Sequence, residues 1–160
     1  MHARIRRAAL LVAVTVTLAV ALEGTAAAQA TGTWKLNVAK SQYKQGQAMK
    51  SSTLVYEPAG EGVKVTVDQV MPDGTKAHYA YAANYDGKDV AVVGNPNADM
   101  AARTRVDANT TKLVYKKDGK VMSTLTLVTS ADGKTLTITT VGTNAKGEDI
   151  ASVAVYEKQS

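Results

Sequence analysis

Leu113-Val114-Tyr115-Lys116-Lys117-Asp118-Gly119-Lys120-Val121-Met122-Ser123-Thr124-Leu125 is two β-prone runs joined by an Asp-Gly pair. A two-residue hairpin turn of type I′ needs φ > 0 at both central positions. Asp tolerates that region and Gly enters it freely. The same pair recurs at Asp73-Gly74, Asp86-Gly87 and Asp132-Gly133, each between runs rich in Val, Thr, Tyr and Leu. Four such signals predict a succession of antiparallel hairpins and an all-β chain.

Working outward, ten strands are expected: Gly32–Asn37, Ser51–Glu57, Val63–Met71, Lys76–Tyr85, Asp89–Val93, Ala101–Asp107, Thr111–Lys117, Lys120–Ser130, Thr135–Thr143 and Ile150–Lys158. Their side chains alternate. Val63, Val65 and Val67 face one way while Lys64, Thr66 and Asp68 face the other. Connections are short and turn-like, as at Pro58–Gly62 and Ala145-Lys146-Gly147, with longer loops at Val38–Lys50 and Gly94–Met100. No window has the apolar spacing of a helix. Sequential hairpins without a crossover-length connection predict an up-and-down meander, and a meander this long protects its edges by closing into a barrel of about eight to ten strands. A two-sheet sandwich is the alternative, although it usually requires longer Greek-key connections.

The first 30 residues stand apart from this pattern. Arg4, Arg6 and Arg7 precede the small apolar run Ala8–Leu22, and the segment closes on Ala28-Gln29-Ala30. That order is expected of a secretory signal peptide cleaved after Ala30. The apolar run is 15 residues long, short of the about 20 that a spanning helix needs. The expected organisation is therefore a cleaved leader, 1–30, and one β-barrel domain, 31–160, with no membrane span after cleavage. The leader takes three of the 19 basic and one of the 14 acidic residues with it, leaving a net charge of +3. Lys and Arg are scattered and carry no aromatic interleaving, so nucleic acid is not an expected partner. The chain has no cysteine. About 130 residues can bury a sufficient core without disulfides, and a cysteine-free exported domain points to a bacterial periplasmic or secreted protein.

Both ends of the domain carry a resemblance. Gly32-Thr33-Trp34-Lys35-Leu36 is similar to the Gly-x-Trp segment that opens the first strand of lipocalins and fatty-acid-binding proteins, and Val153-Ala154-Val155-Tyr156-Glu157-Lys158 resembles the closing strand of the latter. The chain also resembles small exported bacterial lipocalin-like (calycin-type) proteins that share a Gly-Thr-Trp-Lys-Leu-Asn start and repeated Asp-Gly-Lys hairpins. The resemblance implies a lipocalin-like β-barrel whose Trp34, after Gly32, closes the base as a structural residue. It also implies that Tyr156 faces the interior and takes part in holding a ligand. In fatty-acid-binding proteins an Arg-x-Tyr pair holds the ligand carboxylate. Here Ala154 stands where that Arg would be, the helical lid is missing and the chain has no Phe.

No residue set dictates a chemistry. Beyond the leader His78 is the lone histidine, and no metalloprotease, nucleophile-elbow, P-loop or dinucleotide motif is present. One His without Cys makes a metal site improbable, and the Asp-Gly-Lys repeats lack the alternating oxygen ligands of a calcium loop. Neither a cofactor nor catalytic residues are expected, and the chain reads as a non-enzyme. Tyrosine is the enriched type: Tyr79, Tyr81 and Tyr85 share one strand face by period two. They are read either as core aromatics replacing Phe or as the lining of a cavity for a partly apolar ligand. Arg103 and Arg105 also share a face, read either as a solvated strand surface or as the cation for an acidic ligand and a partner for Tyr156. The expected function is an exported barrel that binds a hydrophobic or amphipathic small molecule. The alternative is a filled-core envelope module that acts through its loops or an edge strand. A hydrolase or isomerase reading would need His78 beside a carboxylate in a pocket.

Overall fold

The computed structural model describes residues 30–44, 47–144 and 146–160. The expected leader therefore lies outside the described residues apart from Ala30, and so does Ala145 of the last turn. Alternating apolar residues build eleven strands: β1 (Gly32–Leu36), β2 (Gln42–Tyr43), β3 (Ser51–Ala59), β4 (Gly62–Val70), β5 (Lys76–Ala83), β6 (Asp86–Ala91), β7 (Met100–Arg105), β8 (Thr110–Lys117), β9 (Lys120–Thr129), β10 (Thr135–Thr143) and β11 (Asp149–Lys158). Among the described residues no helix is long and apolar enough to cross a membrane.

The strands form one antiparallel sheet in the order β5-β4-β3-β1-β11-β10-β9-β8-β7-β6, with β2 paired to β11 off that path. Pairing of β1 with β11, Leu36 opposite Tyr156, joins the two ends of the chain. The meander thus curls into a nearly closed barrel of ten strands. Its seam lies between the sheet edges β5 and β6, where the isolated antiparallel bridge Ala80–Val93 exchanges two 3.0 Å hydrogen bonds. The sandwich alternative is set aside by this continuous sheet.

Val63, Val65 and Val67 point inward as the alternation requires, and Trp34 is fully buried on the same interior. On β11 Ala154 and Tyr156 are buried, while Val153 and Val155 are only partly so, the facing expected from the resemblance.

Three local expectations are corrected. The Asp-Gly pairs are not four equivalent turns. At Asp118-Gly119 both residues have positive φ, 49° and 76°, and Lys117 pairs directly with Lys120, the two-residue hairpin expected there. At Asp73 and Asp132 the glycine alone crosses to positive φ, and the turns close by Gly74 N–H to Met71 C=O and Gly133 N–H to Ser130 C=O. In each, the Asp carboxylate accepts a hydrogen bond from the backbone N–H two residues on. Asp86-Gly87 is no turn at all: it opens β6 and forms an irregularity in the β6–β7 register between Asp86 and Asp89. Strand β5 stops at Ala83, so Tyr85 lies past its end. The segment expected as a loop after β1 also carries structure. A 3-10 turn at Val38–Lys40, capped by the Asn37 carboxamide oxygen, leads into β2, whose Tyr43 lies opposite Ser152. Such a short segment shows no periodicity, and only the neighbouring edge of β11 makes it a strand.

Candidate functional site

Arg103 sits at the centre of the site. On β7 its alternation partner Ala101 is fully buried, so the same face carries Arg103 into the barrel, where it is 2% exposed. The reading of a solvated strand face is overturned at this position, because closing the barrel turns that face inward. Arg105, two residues on, is exposed at the barrel rim.

The cross-strand row Tyr56 (β3), Val65 (β4) and Tyr81 (β5) faces the Arg103 side chain. Arg103 Nη1 donates to the Tyr81 hydroxyl at 3.1 Å, and Nη2 donates to Thr111 Oγ1 at 3.1 Å. The guanidinium also lies 5.2 Å from the centre of the Tyr56 ring and 5.6 Å from that of Tyr85. The Tyr85 ring is shared, since the Arg105 guanidinium lies 4.4 Å from its centre. Two cations therefore flank one aromatic, from the rim inward, an arrangement favoured by the negative faces of the rings.

Among the described residues no carboxylate pairs with this charge. The described ion pairs all lie elsewhere, at Lys40–Glu157, Lys44–Asp149, Lys64–Glu57, His78–Asp68, Lys88–Asp86 and Lys116–Asp89. Arg103 Nε and the Tyr85 hydroxyl are buried without a hydrogen-bond partner. Burial disfavours the Arg103 charge, and the phenol oxygens of Tyr81, Tyr56 and Tyr85 favour it. The second effect wins, so its pKa lies above the ordinary arginine value and the group stays charged.

The tyrosines form a continuous interior. The Tyr115 ring meets Tyr79 edge-on at 6.3 Å and Tyr81 at 6.1 Å, a geometry that aromatic quadrupoles favour. Burial pushes the Tyr79 phenol up to about 12 and raises Tyr81, Tyr115 and Tyr156 further. Tyr85 is also raised by burial, with Arg103 and Arg105 opposing.

Tyr79, Tyr81, Tyr85, Arg103 and Arg105 are thus brought together. Tyr156 is not. Its ring lies near Tyr79 and Tyr56, but its hydroxyl donates to Ser52 Oγ at 3.1 Å, so the expected pairing with Arg103 or Arg105 gives way to Ser52. Trp34 is fully buried, its indole N–H donating to the Ala30 carbonyl at 2.7 Å, and Gly32 two residues before it has φ 118°. Tyr56 and Thr111 belong to the Arg103 site as well. Their signal is alternation, Thr111 with Leu113 and Tyr115 and Tyr56 with Leu54, combined with a closure that the sequence does not state.

The site can hold charge, but it contains no nucleophile and base. His78 lies on the outside, its Nδ1 2.7 Å from Asp68 Oδ1, both largely exposed. In the row Thr53–Asp68–His78 the carboxylate lies between hydroxyl and imidazole, whereas nucleophile activation needs the imidazole in the middle. Among the described residues no three acidic or histidine side chains converge on a metal site.

No protein-family sequence model matches this chain, and no curated protein matches it. Solved structures do. The zebrafish ileal bile acid-binding protein complexed with cholic acid aligns at a TM-score of 0.51 and 13% identity, over 82% of this chain and 99% of that one. The redesigned β-barrel mFAP1 bound to DFHBI aligns at 0.48 and 13%, over 84% and 100%. The siderocalin Ex-FABP aligns at 0.38 and 13%, over 82% and 74%. The first is a likeness of fold, and the other two carry no weight at those scores. The chain thus shares the barrel fold of that protein, the lipocalin-like fold expected from the resemblance at its two ends.

Proposed function

We propose that this protein is an exported bacterial barrel that binds an amphipathic small molecule whose acidic group pairs with Arg103. The observation that carries this reading is a buried guanidinium with no carboxylate partner and an unpaired Nε. A buried charge without a counterion is costly, and a ligand carboxylate, sulfonate or phosphate at this point would supply both the missing charge and the missing acceptor. Arg105 at the rim and the Tyr85 hydroxyl offer further contacts to the same group. The zebrafish ileal bile acid-binding protein, whose fold this chain shares, was crystallised with cholic acid, itself an acidic amphiphile, and this agrees with the reading.

A second reading keeps one observation of its own. Tyr115 packs edge-on against both Tyr79 and Tyr81, and Tyr156 is 2% exposed, as in an interior filled by its own side chains. In that case the protein is an envelope module with no ligand.

Titration with a fluorescent fatty-acid probe separates the two. Wild type is expected to bind it, a neutral alcohol analogue at least tenfold more weakly. Arg103→Met is expected to bind the acidic probe at least tenfold more weakly while still melting cooperatively, because replacing a buried charge by an apolar side chain is often neutral for stability. No binding by wild type, or equal binding by Arg103→Met, overturns the acidic-ligand reading.

A further inference from the structure

Ala30 is part of the folded domain, and this bears on where the leader is removed. It is 7% exposed and belongs to the core around Trp34. Its carbonyl accepts the Trp34 indole N–H at 2.7 Å, and Trp34 itself has no exposed surface. Two overlapping small-x-small frames end the leader. Ala28-Gln29-Ala30 directs cleavage before Thr31, and Ala26-Ala27-Ala28 directs it before Gln29. The first is the frame expected from the sequence, and the contacts of Ala30 favour the second.

Cleavage before Thr31 would remove the Ala30 methyl from the core and leave a buried donor without its acceptor. It would also place a new ammonium beside a cation. Gly32 lies against Lys158, with a Cβ position 3.0 Å from Lys158 Cε, and the Lys158 ammonium lies 5.4 Å from the centre of the Trp34 ring. Cleavage before Gln29 leaves the Ala30 contacts whole and moves the terminal charge two residues away.

We infer that the mature protein begins at Gln29, its leader being cut after Ala26-Ala27-Ala28 so that Ala30 is retained as the acceptor for Trp34. The step is hydrolysis of the Ala28–Gln29 peptide bond. The acyl C–N bond breaks, water supplies the oxygen of the new Ala28 carboxylate, and its hydrogen goes to the Gln29 amine. The inference rests on the proposed export of the chain, not on its ligand.

The test is expression of the full 160-residue chain in an exporting bacterial host, followed by intact mass and N-terminal sequencing. The expected start is Gln29, with or without the loss of ammonia that follows closure of its amine on its own side-chain amide. A start at Thr31 overturns the inference. Retention of Met1 overturns it as well, and by its mass shows that the export reading itself has failed. A second measurement reads the physical basis directly, with chains released at Gln29 and at Thr31 from a removable tag and melted side by side. The Thr31 chain is expected to melt several degrees lower, and equal midpoints overturn the role given to Ala30.

Discussion

Individual side chains show how one polar network can sit inside an apolar barrel. Tyr81 and Thr111 each take one donor of Arg103, so the cost of removing either hydroxyl falls on a charged group that is 2% exposed. Tyr81→Phe is expected to lower stability by about 1–3 kcal/mol, measured by urea unfolding. A loss below half a kilocalorie would mean that Arg103 finds another acceptor. Tyr156 behaves differently because its partner is a neutral hydroxyl that can turn to other groups. Tyr156→Phe is expected to cost about 1 kcal/mol and to leave the affinity for an acidic probe within twofold, since Ser52 rather than Arg103 holds the phenol. A tenfold loss of affinity would place Tyr156 in the acidic-group site after all.

Among the elements, the turns and the seam make the clearest cases. Gly133 has φ 68° and nothing within 4 Å of an added Cβ, whereas Gly87 has φ 77° and a Cβ there would lie 3.0 Å from Thr104 Oγ1. Valine at either position is strained in the left-handed region by about 1–2 kcal/mol, and Gly87→Val adds a steric contact within the register irregularity of β6. Both variants are expected to melt lower, Gly87→Val by more; an unchanged midpoint for Gly133→Val would contradict the positive φ. The seam between β5 and β6 is the weakest join of the wall. Ala80 and Val93 exchange two backbone hydrogen bonds across it, which places their Cα atoms near 5.5 Å, within the reach of a disulfide. Because the chain has no cysteine, Ala80→Cys with Val93→Cys creates a single defined pair. Oxidation is expected to raise the melting midpoint through a short closed loop worth about 3 kcal/mol, and reduction to abolish the gain. Failure of the pair to oxidise would show that the seam is wider than the bridge implies.

The molecule as a whole should respond to alkali through its interior. Buried phenols have folded-state pKa values above the unfolded value of about 10, with Tyr79 at about 12 and Tyr81, Tyr115 and Tyr156 higher. A group raised in the folded state stabilises fully below its unfolded pKa and loses that contribution as pH rises through the folded one. Stability is therefore expected to hold up to about pH 9–10 and to fall steadily between about pH 10 and 12. Ultraviolet titration of the native protein should show these phenols ionising only as it unfolds. Ionisation of most tyrosines near pH 10 without unfolding would contradict a closed interior.

Much of this protein was legible in its residues. Asp-Gly pairs and period-two alternation are local signals, because a turn needs particular φ values and a pleat sends successive side chains to opposite faces. They set the strands, the meander and the sharing of one face by Val63, Val65 and Val67, while the inward facing of Tyr156 was implied by the resemblance of the last strand. Which side of a strand becomes the inside is a different kind of fact. Arg103 reads as an ordinary surface charge until β1 pairs with β11 and the wall closes, and the same closure draws Tyr56, Tyr81, Tyr85 and Thr111 around it from four separate segments. Partner choice between Tyr156 and Ser52, the register irregularity at Gly87 and the short strand at Tyr43 also depend on residues of other strands, Ser52 on β3, Thr104 on β7 and Ser152 on β11. Most elements follow from the residues alone because turn and pleat have short-range causes, whereas the site arises with the closed barrel because burial and the meeting of distant side chains belong to it.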